Sequence, residues 1–223
     1  MTHRTRSLGS ALFAGLILLG AACSGSAADD ATTTTEPTTT TSIPPESSEG
    51  AVRATPQQPE GPYYPVLKPS DRDNDLTSVA GATARPAGDR LALDGLLIYS
   101  DGSAVEQATI EIWQTDSSGV YLHPDFADES VDPGFQYYGE SVTDEFGEWS
   151  FRTILPAAYE SRPPHIHAKV LVDGDVVLIT QIYFTADGSD PGTPEPLLVA
   201  EVFPAPESVD AEMVASHVIV LPG

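Results

Sequence analysis

The chain has 223 residues, with 10 Lys and Arg against 33 Asp and Glu, and a formal net charge of −23. This balance excludes proteins that bind nucleic acids or anionic membrane surfaces through basic patches. The length suits one substantial domain with tails, and the single cysteine, Cys23, excludes an intrachain disulfide, so the domain has to build a core of its own.

The first 22 residues have the order of an export signal. Basic Arg4 and Arg6 precede the apolar run ALFAGLILLGAA (11–22), which is too short to span a bilayer comfortably. Cys23 follows small residues, as the lipidated cysteine of a bacterial lipoprotein does, although Gly20 stands where leucine is usual. We therefore expect an extracytoplasmic protein, which either carries a lipid anchor on Cys23 or is secreted after simple cleavage.

Residues 23–52 are predicted to be a linker, because TTTTEPTTTTS (32–42) and the Ser, Glu and Pro that follow cannot build a core. The folded domain is then expected over 53–223. It opens with TPQQPEGPYYP (55–65), a proline-rich extended segment that we interpret as an arm packed on the domain surface.

From residue 91 onward the sequence has the pattern of β-strands separated by turns. Leu91, Leu93 and Leu97 fall on odd positions, and Asp94-Gly95 predicts a bend or bulge among them. Further strands are predicted in ATIEIWQTD (108–116), TDEFGEWSFRTI (143–154), HIHAKVLV (165–172), VVLITQIYF (176–184) and SHVIVL (216–221). Short strands at these intervals, without a convincing helical period, predict an all-β fold of the β-sandwich type.

The segment SRPPHIH (161–167), with Tyr159 just before it, concentrates the side chains that could perform chemistry. Side chains at i and i+2 leave a strand on the same face, so His165 and His167 are expected side by side while Ile166 faces a core. The two prolines of the segment place this pair at a strand start. Two imidazoles make half of a metal site, and zinc is the usual ion for such a pair when nothing else is known.

Tyrosines are the better candidates to complete that site, because the many carboxylates lie mostly in turns. Tyr121 ends WQTDSSGVY (113–121), and Tyr159 follows a bend at Pro156. A free phenol, with a pKa of about 10, is a poor ligand at neutral pH, but a strongly Lewis-acidic cation favours the phenolate. Two phenolates and two imidazoles suit ferric iron, whereas zinc more usually takes Cys, His or carboxylate.

Six segments of the chain, in this order, resemble the intradiol ring-cleavage dioxygenases, the family of protocatechuate 3,4-dioxygenase and catechol 1,2-dioxygenase. They are TPQQPEGPYYP (55–65), IEIWQTDSSGVY (110–121), DPGFQYYG (132–139), TDEFGEWSFRTILP (143–156), AYESRPPHIHAKV (158–170) and LITQIYF (178–184). The part after residue 185 matches weakly. The resemblance implies a β-sandwich, and the chain lacks the helical N-terminal domain of catechol 1,2-dioxygenases, as smaller extracytoplasmic members do.

The resemblance implies one Fe(III) per chain, held by Tyr121, Tyr159, His165 and His167. Tyr159 matches the axial tyrosinate that a catecholate substrate displaces, which gives it a catalytic role as well. The resemblance also implies two catalytic side chains beside the substrate ring and a segment near the pocket mouth that contacts substrate. These are Arg162 and Gln181 for the first and Gly61, Pro62, Tyr63 and Tyr64 for the second.

The implied activity is the cleavage of a catechol-type ring with O2 to a cis,cis-muconate. The scarcity of Lys and Arg favours catechol or an uncharged substituted catechol over a carboxylated one. The alternative from another class is a non-catalytic cell-surface β-sandwich, a binding or adhesion module for which the anchor and linker are equally suitable. The sequence leaves the oligomeric state open.

Overall fold

A computed structural model of the chain describes residues 52–126, 130–186, 190, 192–193 and 195–223. The predicted export signal, Cys23 and nearly all of the linker lie outside these residues, so the anchor stays a prediction. No helix within the described ranges is long and apolar enough to cross a membrane.

The described residues form eight β-strands and two single turns of 3-10 helix, with no α-helix among them. The strands are β1 (Arg90–Tyr99), β2 (Thr109–Trp113), β3 (Tyr138–Val142), β4 (Glu148–Ile154), β5 (His165–Val172), β6 (Asp175–Thr185), β7 (Val199–Pro204) and β8 (Met213–Leu221). The 3-10 turns are Pro124–Phe126 and Pro196–Leu198. The all-β class is confirmed. Strands β3 and β7 were not predicted, because each is short and mixes polar residues with Gly or Pro.

The strands follow the order β3-β2-β5-β6-β7-β8-β1-β4. Two four-stranded halves meet where β6 and β7 pair in parallel, from Tyr183 opposite Val199 to Thr185 opposite Glu201. Apolar residues of both halves share one core; Ile112 and Ile166 come from the first half, and Leu93, Phe151 and Ile219 from the second. This two-layer arrangement around one core is the predicted β-sandwich.

The free edges of β3 and β4 are covered by residues 72–76. The Glu140 amide of β3 donates to the Arg72 carbonyl at 2.9 Å, and the Arg152 amide of β4 donates to the Asn74 carbonyl at 2.8 Å. One short segment thus satisfies backbone groups of both edges, which otherwise invite pairing with another chain.

Strand β1 passes through Gly95 without the predicted bulge. Asp94 and Gly95 pair in unbroken register with β4 on one side and β8 on the other. The glycine is required for space instead, because a Cβ there would lie 2.2 Å from both the His217 carbonyl oxygen and the Trp149 ring. The bulge prediction was wrong because glycine in a strand signals either a bulge or a close approach, and only the folded neighbours decide between them.

Residues 55–65, predicted to be an extended arm, run over the domain surface and turn at residues 62–64. The Thr55 amide donates to the Val220 carbonyl of β8 at 2.9 Å, and the Gln58 amide donates to the Ile179 carbonyl of β6 at 2.8 Å. Farther along, the Lys68 ammonium reaches the Glu111 carboxylate of β2 at 2.6 Å. The arm therefore starts between β8 and β6 and then crosses the outer face of the β2, β5 and β6 half.

Candidate metal centre

Strand β5 turns one face toward the core and the other toward the candidate site. Ile166, Ala168 and Val170 are fully buried in the core, whereas the alternate residues His165 and His167 point to the opposite face. The two Nε2 atoms lie 3.2 Å apart. This is the predicted side-by-side pair at a strand start. Both nitrogens are close enough together to bind one ion at the usual distance of about 2.1 Å.

The rings of Tyr121 and Tyr159 complete a cluster around this pair. Their centroids are 5.1 Å apart, with Tyr159 5.7 Å from His165 and Tyr121 6.2 Å from His167. The four residues implied as ligands by the resemblance are thus brought together from β5 and from two loops.

A buried residue, Asp116, joins the two tyrosine-bearing loops through its side chain and its backbone carbonyl. Asp116 accepts the Val120 amide on its side chain at 3.2 Å and the Ala157 amide on its carbonyl at 3.2 Å. Gly119, at φ +84°, packs directly on the second loop, because a Cβ there would lie 2.7 Å from the Ala158 carbonyl oxygen. The sequence analysis missed Asp116, although its place in the WQTDSSG turn is typical of a side chain that caps turn amides.

Tyr137 supports Asp116 from a third segment. Its hydroxyl donates to the Asp116 carboxylate at 2.7 Å, and its backbone has φ +63°, a conformation rare for a tyrosine. The side chain is 3% exposed. The loops that present the two candidate phenols are therefore fixed by a buried hydrogen-bonded pair that does not itself enter the cluster.

Both histidines of the pair are held in the form that binds metals. Burial lowers the pKa of His165 to about 4; its hydrogen bond to the Pro163 carbonyl opposes this in part, and the positive charge of Arg162, the smallest of the three effects, lowers the pKa further. Burial lowers the pKa of His167 well below its usual value, with His165 and Arg162 acting in the same direction. The His165 Nδ1–H donates to the Pro163 carbonyl at 2.7 Å, which leaves the Nε2 lone pair free toward the cluster.

The Tyr121 phenol has the properties of a metal ligand. Its hydroxyl is buried and has no hydrogen-bond partner among the described residues. Burial first, and then the neighbouring Tyr159, raise the pKa of Tyr121. A buried, unpaired hydroxyl is costly, and a bound cation would both pair it and favour its phenolate.

The chemistry of the donors fits ferric iron better than zinc. Within the described residues no group of three or more His, Cys, Asp or Glu side chains is arranged to hold a metal. A site at the histidine pair has to draw on the tyrosines, and anionic phenolate oxygens suit a strongly Lewis-acidic ion, whereas zinc sites are built from Cys, His and carboxylate.

Arg162 and Gln181, which the resemblance places beside the substrate ring, lie next to the histidines. The Gln181 amide nitrogen is 3.4 Å from the His167 Nδ1, and its oxygen accepts from the Arg162 guanidinium at 2.7 Å. A third residue, Tyr183, was not predicted from the sequence. It lies opposite His165 on β6, and its hydroxyl forms hydrogen bonds with both Arg162 and Gln181.

The arm segment predicted to contact substrate divides into two parts. Gly61, at φ +75°, lies against His167, since a Cβ there would be 3.2 Å from the imidazole Cε1. The Tyr63 ring lies 5.0 Å from Tyr121 and 5.7 Å from Tyr159. Tyr64 instead packs on Trp113 at 5.0 Å, on the sheet side of the arm. Its role is therefore to fasten the arm, while Gly61 and Tyr63 border the cluster.

Two buried charges on the sheet, Glu111 and Lys169, fasten this segment. The Tyr64 hydroxyl donates to Glu111 at 2.7 Å, and the Lys169 ammonium lies 3.4 Å from the Tyr64 ring centroid and 2.7 Å from the Glu60 carboxylate. Behind them, Trp113 stacks on His167 with ring centroids 4.7 Å apart and planes within 9°. The arm, the indole and the face of β5 that carries the histidine pair thus form one packed stack.

Comparison with known proteins bears directly on this cluster. A family described as Dioxygenase matches residues 59–215, which contain all four clustered rings. The chain belongs to the intradiol dioxygenase family. It is 36% identical over 153 residues to the protocatechuate 3,4-dioxygenase beta chain of Burkholderia cepacia, covering 60% of this chain and 64% of that one. It is 32% identical over 164 residues to the catechol 1,2-dioxygenase of Acinetobacter baylyi, covering 64% of this chain and 50% of that one.

Solved structures agree with the family assignment. The dioxygenase domain of a dioxygenase carbohydrate-binding protein fusion from Streptomyces sp. SirexAA-E has a TM-score of 0.60 at 28% identity, over 76% of this chain and 99% of that one. The 3-chlorocatechol 1,2-dioxygenase of Rhodococcus opacus 1CP has the same fold, with a TM-score of 0.58 at 23% identity, over 78% and 73%. This intradiol dioxygenase family member nevertheless spans less than two thirds of the two curated relatives above.

Proposed function

We propose that the chain is an Fe(III)-dependent intradiol dioxygenase that cleaves a catechol with O2 to a cis,cis-muconate. The observation that carries the proposal is the convergence of two tyrosines and two histidines around Nε2 atoms 3.2 Å apart. The family is generally Fe(III)-dependent. The proposed ligands are Tyr121, Tyr159, His165 and His167.

Bound Fe(III) would supply the Lewis acidity that favours phenolate and catecholate anions and the electron exchange that ring cleavage by O2 needs. The chain's own residues divide the remaining work. Tyr159 is half-buried in a short bend closed by its hydrogen bond with Arg162, whereas Tyr121 is 2% exposed. Tyr159 is therefore the phenol that can swing away, and its oxygen can accept a proton from the entering catechol.

Arg162 would stabilise negative charge on the bound ring. Its guanidinium is half-buried next to the histidine pair, and its bonded partners, Gln181 and Tyr183, are both uncharged. A fixed positive charge in a partly dehydrated site acts where charge develops during reaction, an effect worth about 3 kcal/mol for a single donor in other enzymes.

The charges around the cluster favour an uncharged catechol over a carboxylated one. Burial, and then the negative charges of Glu160 and Asp125, raise the pKa of Tyr63 at the border of the cluster. The nearby cations Lys68 and Lys169 are paired with carboxylates. A carboxylate on the substrate would thus be repelled by negative charge, and it would compete with the substrate ring for the positive charge of Arg162. We expect kcat/KM to be higher for catechol than for protocatechuate, and the reverse preference would overturn this part of the proposal.

The test of the activity begins with colour. Iron-loaded protein should show a visible tyrosinate-to-Fe(III) band, consume O2 with catechol and yield cis,cis-muconate identified by mass spectrometry. A preparation that stays colourless after iron loading would refute the iron assignment and favour a non-catalytic binding module. A coloured protein that binds catechol without O2 uptake would identify an inactive member of the family.

We also propose that the protein is extracytoplasmic and held to the membrane by a lipid on Cys23. The support is the basic, apolar, small-residue order ahead of that cysteine. Cys23→Ala should move the protein from the membrane fraction to the soluble fraction. An unlipidated wild type that is already soluble would contradict the anchor.

A further inference from the structure

Tyr183 on β6 is a buried aromatic residue that the proposed chemistry does not yet use. It is 6% exposed, and its ring stacks on His165 with centroids 5.4 Å apart and an interplanar angle of 28°. Strand pairing fixes this position, because Tyr183 lies opposite His165 just as Gln181 lies opposite His167. The outer face of β6 thus presents one polar partner to each histidine of β5.

The hydroxyl of Tyr183 closes a ring of three hydrogen bonds whose directions are all determined. The Gln181 amide nitrogen donates to the Pro59 carbonyl at 2.9 Å, so its oxygen has to be the acceptor on the other side. That oxygen accepts from the Tyr183 hydroxyl at 2.7 Å and from the Arg162 guanidinium at 2.7 Å. The same guanidinium nitrogen also donates to the Tyr183 oxygen at 3.0 Å.

We propose that Tyr183 is a positioning residue that holds the Arg162 guanidinium in the orientation needed at the substrate ring. This inference rests on the proposed function. Two acceptors that converge on one guanidinium nitrogen define the plane of the group, whereas Gln181 alone would leave it free to rotate about a single bond. The hydroxyl is fully engaged by these neighbours, so it neither binds metal nor transfers protons.

The predicted signature is a loss of turnover without a loss of the metal site. Tyr183→Phe keeps the ring that stacks on His165 but removes the hydroxyl and its hydrogen bonds with Arg162 and Gln181. We expect unchanged iron content and visible band, and a kcat lowered by roughly 10- to 100-fold, the size that a misplaced group costs in other enzymes. Tyr99→Phe is the matched control, because Tyr99 lies on β1 in the other half of the sandwich.

A double-mutant cycle separates positioning of Arg162 from a general structural effect. Arg162→Lys keeps the charge but cannot form the planar fork, so adding Tyr183→Phe to it should change kcat by less than about twofold. Additive losses would overturn the proposal, as would loss of iron or of the visible band in Tyr183→Phe alone. An unchanged kcat in the single variant would overturn it too.

A measurement on metal-free protein keeps this inference separable from the proposed activity. Phenylglyoxal labelling of Arg162, followed by peptide mass spectrometry, should be several-fold faster in Tyr183→Phe than in wild type and in Tyr99→Phe. Equal labelling rates would refute the hydrogen-bonded restraint whatever the enzyme does. Faster labelling in a protein that fails to cleave catechol would keep the restraint and reject the dioxygenase activity.

Discussion

Two kinds of buried histidine occur in the described structure, and only one kind looks like a metal site. His165 and His167 are each 2% exposed and His217 is 5% exposed, and burial lowers the pKa of all three. The His217 Nε2 even lacks a hydrogen-bond partner among the described residues. The difference lies in the surroundings. His217 lies on the core-facing side of β8 together with Ala215 and Ile219, whereas the pair on β5 meets two phenols. Burial and a lowered pKa therefore do not identify a site, and convergence of donor atoms does.

The largest expected effect tests this contrast directly. His167→Gln should lose iron and visible colour and lower kcat/KM by more than about 100-fold, because it removes a proposed ligand rather than an outer partner. His217→Gln, the matched control, should keep iron at the wild-type level. Iron content by mass spectrometry and the visible spectrum measure both. Comparable iron loss in the two variants would show that a buried imidazole matters for folding alone.

The next largest effect is a difference between the phenylalanine variants of Tyr159 and Tyr121. Tyr159→Phe should keep iron and a shifted visible band but lose turnover by about 100-fold, because the phenol oxygen that accepts a substrate proton is gone. Tyr121→Phe should lose iron and colour more severely, since its ring is fixed by the Asp116 loop and stays when substrate enters. Anaerobic catechol titration with iron analysis distinguishes them. Wild-type turnover in Tyr159→Phe would reject its role as the displaced base.

How much of the fold and of the candidate site could be predicted depends on how far apart in the chain the interacting residues lie. The face shared by His165 and His167 follows from the two-residue period of a strand, which is local. The site roles of Tyr121 and Gln181 were implied by the ordered motifs of the family resemblance and not by the physical properties of the residues themselves. Contacts between residues far apart in the chain, such as Asn74 against β4 or Asp116 against the second tyrosine loop, leave no periodic signal. Tyr183 was missed for the same reason, because a strand tyrosine is ordinary until its cross-strand partners are known.

The arm offers a smaller contrast, between an ion pair whose cation is buried and one whose cation is exposed. Lys169→Met removes the cation from the Tyr64 ring and from Glu60, in a residue that is 8% exposed, and should destabilise the fold by about 2 kcal/mol and raise the KM for catechol. Arg53→Met breaks the exposed Arg53–Glu195 pair and should cost less than about 1 kcal/mol. Urea unfolding and steady-state kinetics compare them. Equal losses would mean that Lys169 does not hold the arm over the site.

The last contrast concerns His217 and the dependence of stability on pH, with no expected effect on the candidate site. Burial lowers its pKa from 6.5 to about 4, opposed in part by a hydrogen bond with the Val199 backbone. Above pH 6.5 the imidazole is neutral in both folded and unfolded chains, so its contribution does not vary. Between pH 6.5 and 4 the unfolded chain binds a proton that the folded chain does not. Stability therefore falls as pH falls, by up to about 1.4 kcal/mol per pH unit and about 3 kcal/mol in all.

His217→Gln isolates that contribution, because the carboxylates and the β5 histidines titrate alike in both proteins and cancel in the difference. Urea unfolding of metal-free wild type and variant, from pH 7.5 to 4.5, should show the two stabilities converging or crossing below pH 6.5, with wild type losing more. Parallel curves would mean that His217 takes up its proton in the folded core as easily as in water. The third histidine would then be solvated, and its resemblance in burial to the pair on β5 would be lost.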